Sequence, residues 1–85
     1  MNARKTMTTN GDICGPLEVR DGQAMDYEVD YTSGDITLHR SIDGSNYIVV
    51  EEAYTADTTK QAIAPGHYKL VGTSTPSAVC YMVVR

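Results

Sequence analysis

The chain has no tryptophan and no phenylalanine, only two cysteines and two histidines, and no acidic residue beyond Asp57. Each shortage excludes something. Without Trp or Phe, the large aromatic area of a core must come from six tyrosines: Tyr27, Tyr31, Tyr47, Tyr54, Tyr68 and Tyr81. A buried tyrosine needs a partner for its hydroxyl, so several are expected at the core margin or in an interface. Two cysteines, Cys14 and Cys80, do not make a disulfide framework, and no His or Cys close by in sequence completes a zinc site. They read as free thiols, with a bridge between the first and last strands as the alternative. No apolar run approaches the length of a membrane span, and the basic start Met1-Asn2-Ala3-Arg4-Lys5-Thr6 is not followed by the apolar stretch of a secretory signal.

What is present fits one small domain. Eighty-five residues bury only roughly 60–65% of the surface exposed on unfolding. Self-association is therefore an expected source of added stability. Charge is segregated. Residues 12–57 hold all eleven acids against Arg20 and Arg40, a net −9; residues 58–85 carry Lys60, Lys69 and Arg85, a net +3; residues 1–11 carry Arg4 and Lys5. The overall −4 argues against nucleic-acid binding, which needs Lys and Arg gathered on one face. The distribution reads either as a solvated surface or as head-to-tail packing of acidic middle strands against a basic end.

The periodicity is that of strands. Met25, Tyr27, Val29 and Tyr31 alternate with Asp26, Glu28 and Asp30. Ile36, Leu38 and Ile42 alternate with Thr37, His39 and Ser41, and Asp43-Gly44-Ser45-Asn46 turns the chain into a return strand, Asn46 to Glu52. Ile13 to Arg20 forms a short strand interrupted by Gly15-Pro16, which suits an edge. Ser33-Gly34-Asp35 reads as a turn, Tyr54 to Ala64 as a Thr-rich extended segment, and His67–Thr73 with Ala78–Val84 as a hairpin about Ser74-Thr75-Pro76-Ser77. No capped segment has apolar residues at helical spacing. Seven short strands predict an all-β protein, an antiparallel β-sandwich or small barrel of immunoglobulin-like or jelly-roll-like type over residues 12–85. Residues 1–11, polar and ending in Gly11, read as a flexible arm, dispensable for folding.

Few residues suggest chemistry. Asp26, Glu28 and Asp30 share a strand face and could meet a hard cation such as calcium; the simpler reading is a solvated face. Asp43-Gly44-Ser45-Asn46 lacks the downstream glutamate of a calcium loop. His39 and His67 define no triad, no Gly-x-Ser-x-Gly turn marks a nucleophile, and Cys80 lies among apolar neighbours that make a thiol inert. The expectation is no enzyme, no cofactor and no metal. The residues expected at an interface are Arg4, Lys5, Asp26, Glu28, Asp30, Lys60 and Lys69.

Two resemblances carry function. Pro65-Gly66-His67-Tyr68-Lys69-Leu70 resembles the Gly-x-Tyr entry to a late strand of immunoglobulin-like sandwiches, whose tyrosine hydroxyl bonds back to the backbone; Tyr68 would be that tyrosine. The run from Gly34 to Tyr47, followed by Pro65 to Val71, is similar to small β-rich structural proteins of tailed bacteriophages: a strand ending in Arg-Ser, an Asp-Gly turn, an aromatic opening the return strand, then a Gly-x-Tyr strand. This resemblance implies a non-catalytic virion protein made in the host cytoplasm, a capsid decoration or cementing protein, or a small neck or tail protein. Its partner would be the major capsid or another virion protein; the small core and the segregated charges add further copies of itself, with a trimer as the expected state. The competing class is a carbohydrate- or receptor-binding sandwich in which Tyr27 and Tyr31 form a stacking platform.

Overall fold

Two long strands make this fold, and each is bent in the middle. In the computed structural model, which describes residues 1–85, the strands are β1 (Asn2–Met7), β2 (Ile13–Val19), β3 (Met25–Ser41), β4 (Ile48–Val49), β5 (Thr58–Ala62) and β6 (Gly66–Val84). β3 and β6 pair antiparallel along their whole length, from Met25↔Val84 to Ser41↔His67. The chain is all-β and antiparallel, as the periodicity predicts, and its six strands form one continuous sheet.

The bend divides this sheet into two leaves. In leaf A, residues 77–84 of β6 pair with β1 on one side and with residues 25–31 of β3 on the other, and β5 pairs outside β3. In leaf B, residues 66–73 of β6 pair with β2 and with residues 35–41 of β3, and β4 pairs outside β3. The leaves close over a single apolar core. Leaf A contributes Met7, Met25, Tyr27, Val29, Ala78, Cys80, Met82 and Val84; leaf B contributes Cys14, Leu17, Val19, Ile36, Leu38, Tyr68 and Leu70. The inward set of β3 switches from odd to even numbers across the bend, which requires an extra residue, and the register slips between Tyr31 and Asp35.

Two turn readings are corrected by this bend. Ser33-Gly34-Asp35 and Ser74-Thr75-Pro76-Ser77 do not reverse the chain; they bulge it inside β3 and β6. Gly34, Ser74 and Thr75 adopt left-handed φ values of 85°, 58° and 57°, the conformations that make such residues look like turn residues. Here they kink two paired strands at the same level. Pro76 packs between Gly34 and Gly72, where added β-carbons would lie 2.6 Å from Pro76 Cα and 2.9 Å from Pro76 Cβ.

The expected flexible arm is also corrected. Residues 2–7 are an edge strand in register with β6, from Asn2↔Val83 to Met7↔Ala78, and Met7 is wholly buried. The turn that follows is tied down: the Asp12 carboxylate accepts from the Thr8 and Thr9 amides at 2.9 and 3.0 Å, and Asn10 Oδ1 accepts from the Thr75 amide at 2.7 Å. The first turn thus clasps the bend of β6. Backbone pairing, rather than an apolar stripe, recruits this segment, so hydropathy alone does not reveal it.

The tyrosine hydroxyls are satisfied as burial requires. Tyr68, buried, donates to the Ala64 carbonyl at 2.7 Å, the backbone-directed bond expected of it. Tyr54 donates to Glu51 Oε2 at 2.6 Å, which leaves Tyr27 to donate to the Tyr54 oxygen at 2.8 Å. Tyr68→Phe is expected to cost about 1 kcal/mol in urea unfolding, near the low end for a buried bond because Ala64 is exposed and its carbonyl can take water instead. A loss below a few tenths would mean that the hydroxyl is already wet.

Candidate functional site

The outward-facing residues of the two leaves differ in charge. On leaf A, Asp26, Glu28 and Asp30 form a column beside Val79, Tyr81 and Val83, followed by Asn2, Arg4 and Thr6. Asp26 is paired: Arg85 Nη2 and Gln61 Nε2 both donate to it, the latter at 2.9 Å, and these bonds lower its pKa. Arg4 lies over the Tyr81 ring, 5.5 Å from its centroid. Glu28 and Asp30 have no cation. The neighbouring Asp30, and then Asp57, push the Glu28 carboxyl above its ordinary value. No three His, Cys, Asp or Glu side chains converge as a metal-ligand set.

The outer face of leaf B gathers both histidines. His39 is the direct cross-strand neighbour of Lys69, and His67 lies two residues along β6 on the same face. The Lys69 ammonium is 4.1 Å from the Tyr47 ring centroid and has no carboxylate partner. His67 Nε2 is 3.8 Å from Glu18 of β2, which also accepts from Arg20 at 3.1 Å. Burial, and then Lys69, lower the pKa of His39. Sequence reasoning missed this grouping. Its signal was present in the alternation of His67 with Tyr68 and of His39 with Leu38, but the partnership of β3 with β6 had to be known to join them.

The expected interface residues therefore do not meet at one point. Asp26, Glu28, Asp30 and Arg4 lie on leaf A's outer face and Lys69 lies on leaf B's. Lys60, on β5, bonds Glu51 at 2.7 Å. Lys5 follows the inward register of Ala3 and Met7 but is exposed. A charge on an edge strand of this kind discourages further strand pairing.

A third feature is apolar. The Asp43 turn is strongly held: Asp43 Oδ1 accepts from Ser41 Oγ and from the Ser45 and Asn46 amides at 2.8–3.0 Å, and these bonds, those of Asn46 and Ser45 first, hold its carboxyl well below the usual range. Beyond this turn, the return strand pairs over only two residues, His39↔Val49 and Arg40↔Ile48. Around it Ile42, Ile48, Val49 and Val50 stand 80%, 69%, 55% and 45% exposed. Arg40, Ile42, Asp43, Asn46 and Ile48 line an open groove of about 310 Å³. Arg40 donates to the Pro65 carbonyl, which fixes one wall of the groove to the chain entering β6.

Two other readings are resolved by burial. Tyr27 is 4% exposed and bonded to Tyr54, so it offers no face to a sugar, and the Tyr27–Tyr31 platform does not form. Cys14 and Cys80 are free, buried thiols whose pKa values burial raises to about 11 and about 12. Burial raises Tyr27 and Tyr54 as well. Each of these groups favours its neutral form in the folded state. The contribution of the two thiols is complete below their unfolded value near 9 and is lost as pH rises through about 11 to about 12. The melting temperature is therefore expected to fall over that window. A thiol reagent at pH 8 should leave both cysteines unmodified until the chain unfolds; rapid modification of the native protein would contradict their burial.

Searches for relatives add no identification: no protein-family model, no curated protein and no solved structure matches this chain.

Proposed function

We propose that this chain is a non-catalytic structural protein of a tailed-phage particle, a decoration or cementing protein of the capsid, which works through protein–protein contacts. The apolar rim at β4 carries this reading. Ile42, Ile48, Val49 and Val50 are exposed at and around a two-residue edge strand of a very small domain, and Ile42 and Ile48 share a groove with Arg40 and Asp43. Exposed apolar area rimmed by polar groups marks a contact surface, and β4 leaves its outer edge unpaired. The phage assignment rests on the resemblance of residues 34–47 and 65–71, and the partner is the protein shell of such a particle.

The reading requires capsid, portal or tail genes beside the coding sequence, and requires the protein to co-sediment with the particles those genes build. Protein left at the top of the gradient while complete particles lacking it sediment would overturn it. The Ile42→Asp and Ile48→Asp variants refine the test. Both side chains are exposed, so stability should move by no more than about 0.5 kcal/mol. Particle affinity should fall on the order of tenfold or more, as for an anchor at an interface centre.

A further inference from the structure

The outer faces of leaf A and leaf B lie on opposite sides of the sandwich, because the inner faces of both leaves share one core. Each carries charge without a partner, of opposite sign on the two faces, although Arg85 meets Asp26 on leaf A and Glu18 lies by His67 on leaf B. On leaf A, Glu28 and Asp30 stand next to each other with no counterion. On leaf B, Lys69 has only the Tyr47 ring and the flanking His39 for company. Each face also carries half-buried apolar and aromatic area: Val79 and Tyr81 on leaf A, Tyr47 and Val71 on leaf B.

We propose that the occupant of each face is a second copy of this chain: the Glu28–Asp30 face of one copy seats on the Lys69–His39 face of the next. This rests on the structural role proposed above and names one of its contacts. The contact joins two different surfaces, so it repeats. It closes into a ring, of which a trimer is the smallest common case, or continues as a stack, according to the rotation between copies. It brings carboxylates to Lys69, which has none of its own, and it separates Glu28 and Asp30 with a cation. Val49, the cross-strand neighbour of His39, falls within this contact, whereas Ile42 and Ile48, which line the groove with Arg40, remain free for the particle.

The test needs only purified protein, which separates its outcome from that of the particle experiment: attachment is read at Ile42 and Ile48, self-association at Glu28, Asp30 and Lys69. Two variants are made, Glu28→Lys with Asp30→Lys, and Lys69→Glu, and each is first shown to melt cooperatively. In light scattering at low salt, the unmodified protein is expected to exceed monomer mass and to return toward it near 1 M salt, where the screening length shrinks to about 3 Å. Each variant alone should associate on the order of tenfold more weakly or worse. Mixed in equal amounts, the two should associate again by alternating, because the reversed leaf A face of one now meets the reversed leaf B face of the other; a stack or an even ring recovers fully, and a trimer keeps one mismatched contact. A monomeric unmodified protein at high micromolar concentration in low salt would overturn the proposal. So would variants that associate as the unmodified protein does, or a mixture no better than its components.

Discussion

Removing residues 1–7 is expected to abolish cooperative folding. The segment is an edge strand with six residues in register with β6, and Met7 is wholly buried. Truncating one such side chain costs about 2–5 kcal/mol. A domain of this size has roughly 4–13 kcal/mol in total at the usual per-residue stability. The deletion also opens the other side of Ala78, Cys80 and Met82 to water and leaves residues 77–84 of β6 as a bare edge. The shortened protein should show no tyrosine near-ultraviolet dichroism and no sharp melting transition. A truncated protein that melts within a few degrees of the full chain would mean that the segment is an arm after all.

Gly34→Ala is expected to produce the largest loss of any single glycine replacement, about 2–4 kcal/mol. Two costs combine. The residue has φ of 85°, where an L side chain is strained, and its new β-carbon would meet Pro76 Cα at 2.6 Å and the Thr73 carbonyl at 2.9 Å. Both obstacles are backbone, so neither can rotate away. Gly22→Ala supplies the control. Its φ is 83° with nothing within 4 Å of the added carbon, so it should carry only the conformational cost of about 1–2 kcal/mol. The difference between the two in urea unfolding measures how tightly β3 and β6 cross at the bend. Equal losses would show that the crossing is loose and that the division into two leaves does not depend on it.

The bend also explains what could be read from the chain. Period-two alternation in residues 25–31 and 36–39 correctly identifies strands and their inward faces, because one face of each leaf is buried and the other is wet; it fails where β3 leaves the core, since Ser41 is buried and Ile42 is exposed. Gly34 and the Ser74–Ser77 segment look like turns because turns and bulges need the same left-handed backbone; only the pairing partner distinguishes a reversal from a kink. Tyr68 was legible only through the resemblance of Gly66-His67-Tyr68 to the Gly-x-Tyr strand entry of immunoglobulin-like sandwiches, which implies a hydroxyl bonded back to the backbone. Asn2–Met7 was not, because an edge strand held by amides and carbonyls needs only one apolar anchor, and Met7 alone is too weak a signal. The surfaces follow the same division. The carboxylate column of Asp26, Glu28 and Asp30 lies on one strand and is visible in the sequence. The grouping of His39, His67 and Lys69 depends on two strands nearly thirty residues apart, and the exposed rim of Ile42 and Ile48 depends on the shortness of β4.

Hydrogen–deuterium exchange on the protein, free and bound to its particle, tests the account most directly. If the chain is a structural component docked by its apolar rim, amides of residues 42–50, an exposed edge hairpin even with Ser45, Asn46 and Val50 bonded, should exchange faster than those of β3 and β6 in the free protein and gain protection on the particle. The core amides of β3 and β6 should be slow in both states. Unchanged exchange across 42–50 in particle-bound protein would contradict the account.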